Sequence, residues 1–205
     1  MVYYLLENAV PLLAELLFLL GALLLPGRWL IYIEFLFYLL IFFYFKWKRA
    51  FSCRAWKYAA EEGEGFYLPV LVTAGCYALC FLLTGAFPSL QGGLFSPTAE
   101  TWPEILIFAV TTMGLAPITQ ELFYRQSLIQ CGKAALWTVP VSLICFALIH
   151  GVSPQGILTA VIWGIPLTIS YLVTKNIYVT ISAHMLCSLL THGLDLFYLI
   201  LFKLQ

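Results

Sequence analysis

Three short polar patterns stand inside otherwise apolar sequence: Gln120-Glu121-x-x-x-Arg125, Phe146-x-x-x-His150 and His184-x-x-x-Ser188. Ionisable residues in such surroundings are costly and are kept where they line a pathway, form a pair or carry a reaction. The chemistry these types could do together is peptide hydrolysis. A carboxylate can take a proton from water as general base. An imidazole can orient that water or stabilise the oxyanion that develops. Alternatively, Glu121, His150 and His184 could ligate zinc and leave one position open to water, although no contiguous His-Glu-x-x-His run is present. The plain alternatives are a buried Arg–Glu pair that fixes packing and histidines that bridge helices.

Spacing ties these residues to helix faces. Positions four apart are neighbours on a helix, which pairs Glu121 with Arg125, Phe146 with His150 and His184 with Ser188. Gln120 stands about 100° around from Glu121. The two cannot aim at one spot, yet both can border one cavity. His184, Ser188, Thr191 and Asp195 fall within an arc of roughly 60°. That polar stripe is expected to face protein or water, with His192 about 70° from its centre. Phe146 reads as a wall residue beside His150.

The elements that must hold these residues are helices in a membrane. The chain has 205 residues, 62% hydrophobic and 10% charged, against about 25% charged in soluble domains. Its mean hydropathy is +0.95. Backbone polar groups in lipid must be satisfied within the segment, and long apolar runs satisfy them as helices rather than as the short alternating strands of a barrel. The fold class expected is all-α, a polytopic bundle of about seven transmembrane helices. Predicted spans lie at about 9–25, 29–46, 66–87, 104–131, 134–151, 155–173 and 177–203, with a kink at Pro117. The first apolar run lacks a basic region before it and reads as a retained span. The six cysteines, Cys53, Cys76, Cys80, Cys131, Cys145 and Cys187, show no metal-ligand spacing and read as reduced and mostly buried. A net charge of zero suggests no nucleic-acid partner. Membrane lipids and a peptide or protein tail are the partners expected. The absence of an internal repeat speaks against a transporter built on Glu15, Glu34, Glu121 and the histidines.

Basic residues orient the layout. Lys46, Lys48, Arg49, Arg54, Lys57, Arg125, Lys133 and Lys175 fall on one side, with Arg28 and Lys203 on the other. The positive-inside bias makes the first side, and the N-terminus, cytoplasmic. Counted from the cytoplasmic turns, Glu121 lies about 17 Å deep, His150 about 26 Å and His184 about 13 Å, so a site reached from the cytoplasm is expected. Lys46–Lys57 interleaves cations with Trp47, Phe51 and Trp56 and reads as an interfacial helix or a juxtamembrane anchor. Glu34 is expected to partner Arg28.

The order and spacing of the three patterns resemble the CAAX-protease and bacteriocin-processing (CPBP) family of membrane endopeptidases. That family carries Glu-Glu-x-x-x-Arg, Phe-x-x-x-His and His-x-x-x-Asn. The likeness runs over roughly 101–191 and includes Ala116-Pro117 and Ser182-Ala183. It implies a single membrane domain, 1–205, with accessory helices over 1–100 and a core over 101–203. It implies a conical intramembrane catalytic cavity between the segments at about 104–131, 134–151 and 177–203. It maps the histidines to His150 and His184 and the oxyanion-stabilising asparagine to Ser188. Arg125 and Glu121 match the arginine and the second glutamate. No cofactor is expected, zinc on Glu121, His150 and His184 being the alternative. The family's water-activating first glutamate maps to Gln120, and an amide is no base near neutral pH. Loss of a general base costs about 10²–10⁴-fold. Three explanations follow: a silenced variant that keeps the shape, a non-catalytic scaffold or regulator of the same fold, or Glu121 serving as base.

Overall fold

Capping residues, glycines and prolines set the helix boundaries. The computed structural model describes residues 8–90, 93–130 and 134–204, with side chains to residue 201. Cys131 and Lys133 lie outside the described residues. Eight helices are present among those described: α1 (Ala9–Leu24), α2 (Leu30–Trp47), α3 (Cys53–Glu61), α4 (Glu64–Gly85), α5 (Trp102–Ser127), α6 (Ala135–Leu148), α7 (Pro154–Thr174) and α8 (Ile177–Leu204). Leu25 turns to extended backbone ahead of Pro26 and stops α1. Ser52 caps α3 by accepting from the Ala55 amide at 3.3 Å. A capping box of Thr101 and Glu104, with Pro103 in the first turn, starts α5. Ser153 caps α7, which ends on left-handed Lys175.

Five of these helices are long and apolar enough to cross a membrane: those within Gly27–Trp47, Glu64–Gly85, Trp102–Ser127, Pro154–Thr174 and Ile177–Leu201. α1 has 16 residues and α6 has 14. At about 1.5 Å per residue they are shorter than the roughly 30 Å hydrocarbon core. The predicted count of seven is therefore five full-length helices and two short ones. The eighth helix, α3, forms within the charged connection.

α5 departs most from expectation. Two π segments, Thr111–Leu115 and Glu121–Ser127, flank a short α stretch, Ala116–Gln120. The ladder widens to i→i+5 ahead of Pro117, which has no amide to donate.

Contacts between connections define two ends of the bundle. At one end, Ser127 on α5 donates to Asn8 before α1. There too, the Ser52 amide donates to the Tyr178 hydroxyl on α8 at 3.2 Å, and the Gln130 amide to Thr138 on α6 at 3.1 Å. This is the basic end, and an aromatic cluster closes it. Trp56 stacks on Tyr178 with centroids 6.2 Å apart, Phe51 packs at 6.0 and 6.3 Å from the two rings, and Trp56 Nε1 donates to Ser182 Oγ at 2.9 Å. α3 thus docks its apolar edge on α8 and leaves Arg54, Lys57 and Tyr58 exposed. At the far end, Tyr32 on α2 donates to Glu104 on α5 at 2.8 Å. The Phe95 amide bonds the His150 carbonyl at 2.7 Å, and Leu94 bridges to Gly151.

Candidate active site

Four of the five residues singled out for catalysis line one cavity of about 380 Å³: Gln120, His150, His184 and Ser188. α8 presents the predicted stripe whole, since His184, Ser188, Thr191 and Asp195 all face the cavity, and His192 joins them. Its walls also include Phe18 of α1, Tyr38 and Glu34 of α2, Tyr77 of α4 and Trp163 of α7. The helices before residue 100 therefore build the cavity too.

Glu121 does not border this space. Its side chain is fully buried, as is that of Arg125. Glu121 Oε1 lies 3.3 Å from Arg125 Nη1 and 2.8 Å from His184 Nδ1. The expectation that Gln120 and Glu121 both edge the cavity fails for Glu121, because α5 turns it toward its own Arg125 and toward α8. Arg125 is fixed further. Its Nη2 donates to the Gly164 carbonyl at 3.3 Å, and its guanidinium lies 4.2 Å over the Phe146 ring. Phe146 is thus both cation–π partner and wall, with its ring 4.6 Å from His150. α7 can come this close only at glycine. A Cβ on Gly164 would meet Phe146 at 2.9 Å and Leu143 at 3.0 Å.

Hydrogen bonds set both imidazoles. His184 Nδ1 faces the Glu121 carboxylate. His150 Nδ1 is 2.8 Å from the Phe146 carbonyl, which can only accept. In both contacts Nδ1 is the donor. Gln120 is 3% exposed and donates its amide to the Tyr38 hydroxyl, while its Oε1 has no partner. Among the described residues no three His, Cys, Asp or Glu side chains are placed to hold a metal ion. The zinc set Glu121, His150 and His184 does not fit, because Glu121 is spent on Arg125 and His184 behind the cavity wall.

Two further expectations are corrected. Glu34 makes no ion pair with Arg28; it lines the cavity one turn from Tyr38, while Arg28 lies over the Trp29 ring at 5.9 Å. The Glu34/Tyr38 pair was visible as two polar residues four apart on an apolar helix. Cys53 and Cys76 are exposed rather than buried. The cavity lining includes Leu30, Leu94–Pro97 and His150, all at the far end, and no described residue of the basic connections. α6, with 14 residues, is shorter than the span predicted at about 134–151.

These features define a class: a multi-pass helical membrane protein with a polar, histidine-bearing cavity inside the bundle. Over residues 102–190 the chain matches the family described as Type II CAAX prenyl endopeptidase Rce1-like, so that segment is similar to the CAAX-type membrane proteases. No curated protein and no solved structure matched the chain.

Proposed function

We propose that this chain is an intramembrane endopeptidase of the CAAX-protease type, silenced or slowed because Gln120 stands where the water-activating carboxylate belongs. The observation that carries the reading is the arrangement of Gln120, His150, His184 and Ser188 around one cavity, with Glu121 turned away from it. A scissile carbonyl in this space would find His150 and His184 as hydrogen-bonding imidazoles and the Ser188 hydroxyl as a donor for the oxyanion. A water between them could donate to Gln120 Oε1, which cannot take its proton. With a carboxylate there, the water oxygen would attack the carbonyl carbon as its proton passed to the carboxylate. That proton would then reach the departing amine. The burial of Glu121 and its two partners speak against Glu121 as a substitute base.

The test is cleavage of a membrane-tethered peptide library by the chain and by Gln120→Glu in detergent or liposomes. Cleavage by Gln120→Glu, faster by about 10²–10⁴-fold, supports the proposal. Equal and absent cleavage by both would favour a non-catalytic scaffold that holds a tail or a partner in the same cavity.

A further inference from the structure

The cavity and the cations lie at opposite ends of the bundle. Lys46, Lys48, Arg49, Arg54, Lys57 and Lys175 sit in or beside the basic connections. Lys133 belongs to the connection between α5 and α6 by its place in the sequence. Arg125 counts for neither side, being fully buried on Glu121. Seven of the ten basic residues thus mark one end, against Arg28 and Lys203 at the other. Such a bias in short connections orients a membrane protein with that end in the cytoplasm.

The cavity runs the other way. Its outer lining comes from the start of α2 (Leu30, Glu34), from Leu94–Pro97 between α4 and α5, and from His150 just past α6. Its inner limit is set by Gln120 and His184, each seven residues, or about 10 Å, from the basic end of its helix. Beyond them the Glu121–Arg125–His184 cluster and the Phe51/Trp56/Tyr178 cluster fill the bundle. The Leu94–Pro97 segment and the turn at His150 are tied to each other by the Phe95–His150 bond at this rim.

We infer that the cavity receives its ligand from the extracytoplasmic face of the membrane, so that its substrates are tails exposed on that face, from exported or outward-anchored chains. That the ligand is a peptide tail rests on the function proposed above. The side of access does not.

The test is thiol labelling with a membrane-impermeant maleimide in intact bacterial cells expressing the protein, each labelled position read by peptide mass spectrometry. Ser96→Cys reports the mouth, Thr191→Cys the cavity wall, and native Cys53, exposed on α3, the basic end. The result expected is labelling of Ser96→Cys and Thr191→Cys in intact cells, with Cys53 labelled only after permeabilisation. Labelling of Cys53 in intact cells, or of Ser96→Cys only after permeabilisation, would overturn the orientation. Labelling of Ser96→Cys without Thr191→Cys in intact cells would overturn the access route. Cys53 needs no substitution, so the orientation can be read in the unaltered chain. None of these readouts needs proteolysis, so a silent peptidase assay leaves them standing.

Discussion

The Glu121–Arg125 pair should be the most sensitive element of the bundle. Arg125→Met removes one partner of a fully buried pair and leaves the Glu121 charge with only His184. At 3.3 Å and an effective dielectric near 20, the Coulomb attraction lost is about 5 kcal/mol. Breaking a buried pair from one side typically costs about 3–5 kcal/mol. Arg125→Met also gives up the Gly164 carbonyl bond and the contact with the Phe146 ring. The double variant Glu121→Gln/Arg125→Met leaves no bare charge and should cost clearly less than the sum of the single changes, with a coupling of about 2–3 kcal/mol. Unfolding by SDS titration in mixed micelles, followed by the fluorescence of the six tryptophans, measures all three. If Arg125→Met costs under about 1 kcal/mol, or the two changes simply add, the pair is solvated or loosely held and the description of Glu121 as a buried structural residue is wrong.

Gly164→Ala should destabilise by about 1–3 kcal/mol through overpacking, since its Cβ would press on Phe146 and Leu143; the same micellar titration measures it. Trp56→Phe keeps the ring but loses the bond to Ser182 and should cost about 1 kcal/mol, whereas Trp56→Ala should cost about 3–5 kcal/mol. In the Gln120→Glu background, Ser188→Asn should raise kcat by up to about 10²-fold if the longer amide reaches the oxyanion. Steady-state cleavage of a tethered peptide would read this, and an unchanged kcat would remove Ser188 from that role.

Much of this molecule was legible in the sequence. Apolar runs bounded by Pro26-Gly27, Pro88 and Pro154 located the helices to within a few residues, because lipid leaves the backbone few alternatives. The stripe from His184 to Asp195 was readable because α8 is regular, so a count of 100° per residue holds along it. The same count paired Glu121 with Arg125 and set it about 100° from Gln120, but it left open which of the two borders the cavity, a choice settled by where Arg125 and His184 sit. Tyr38 and Tyr77 entered the cavity unannounced, since an aromatic residue in a span is most often packing. The cavity lining at Leu94–Pro97 and His150 stayed hidden, because it depends on how two connections meet at the Phe95–His150 bond, which composition does not record.

The aromatic cluster over α3 and α8 makes the cavity a cul-de-sac. A chain entering past Leu94–Pro97 meets a dead end just beyond Gln120 and His184, so it cannot be threaded through. For a peptidase this fixes the order of traffic. Only an end or a short looped segment fits, both fragments must back out by the route of entry, and a lingering product excludes the next substrate. Turnover would then be governed by clearance of the mouth as much as by the chemistry within.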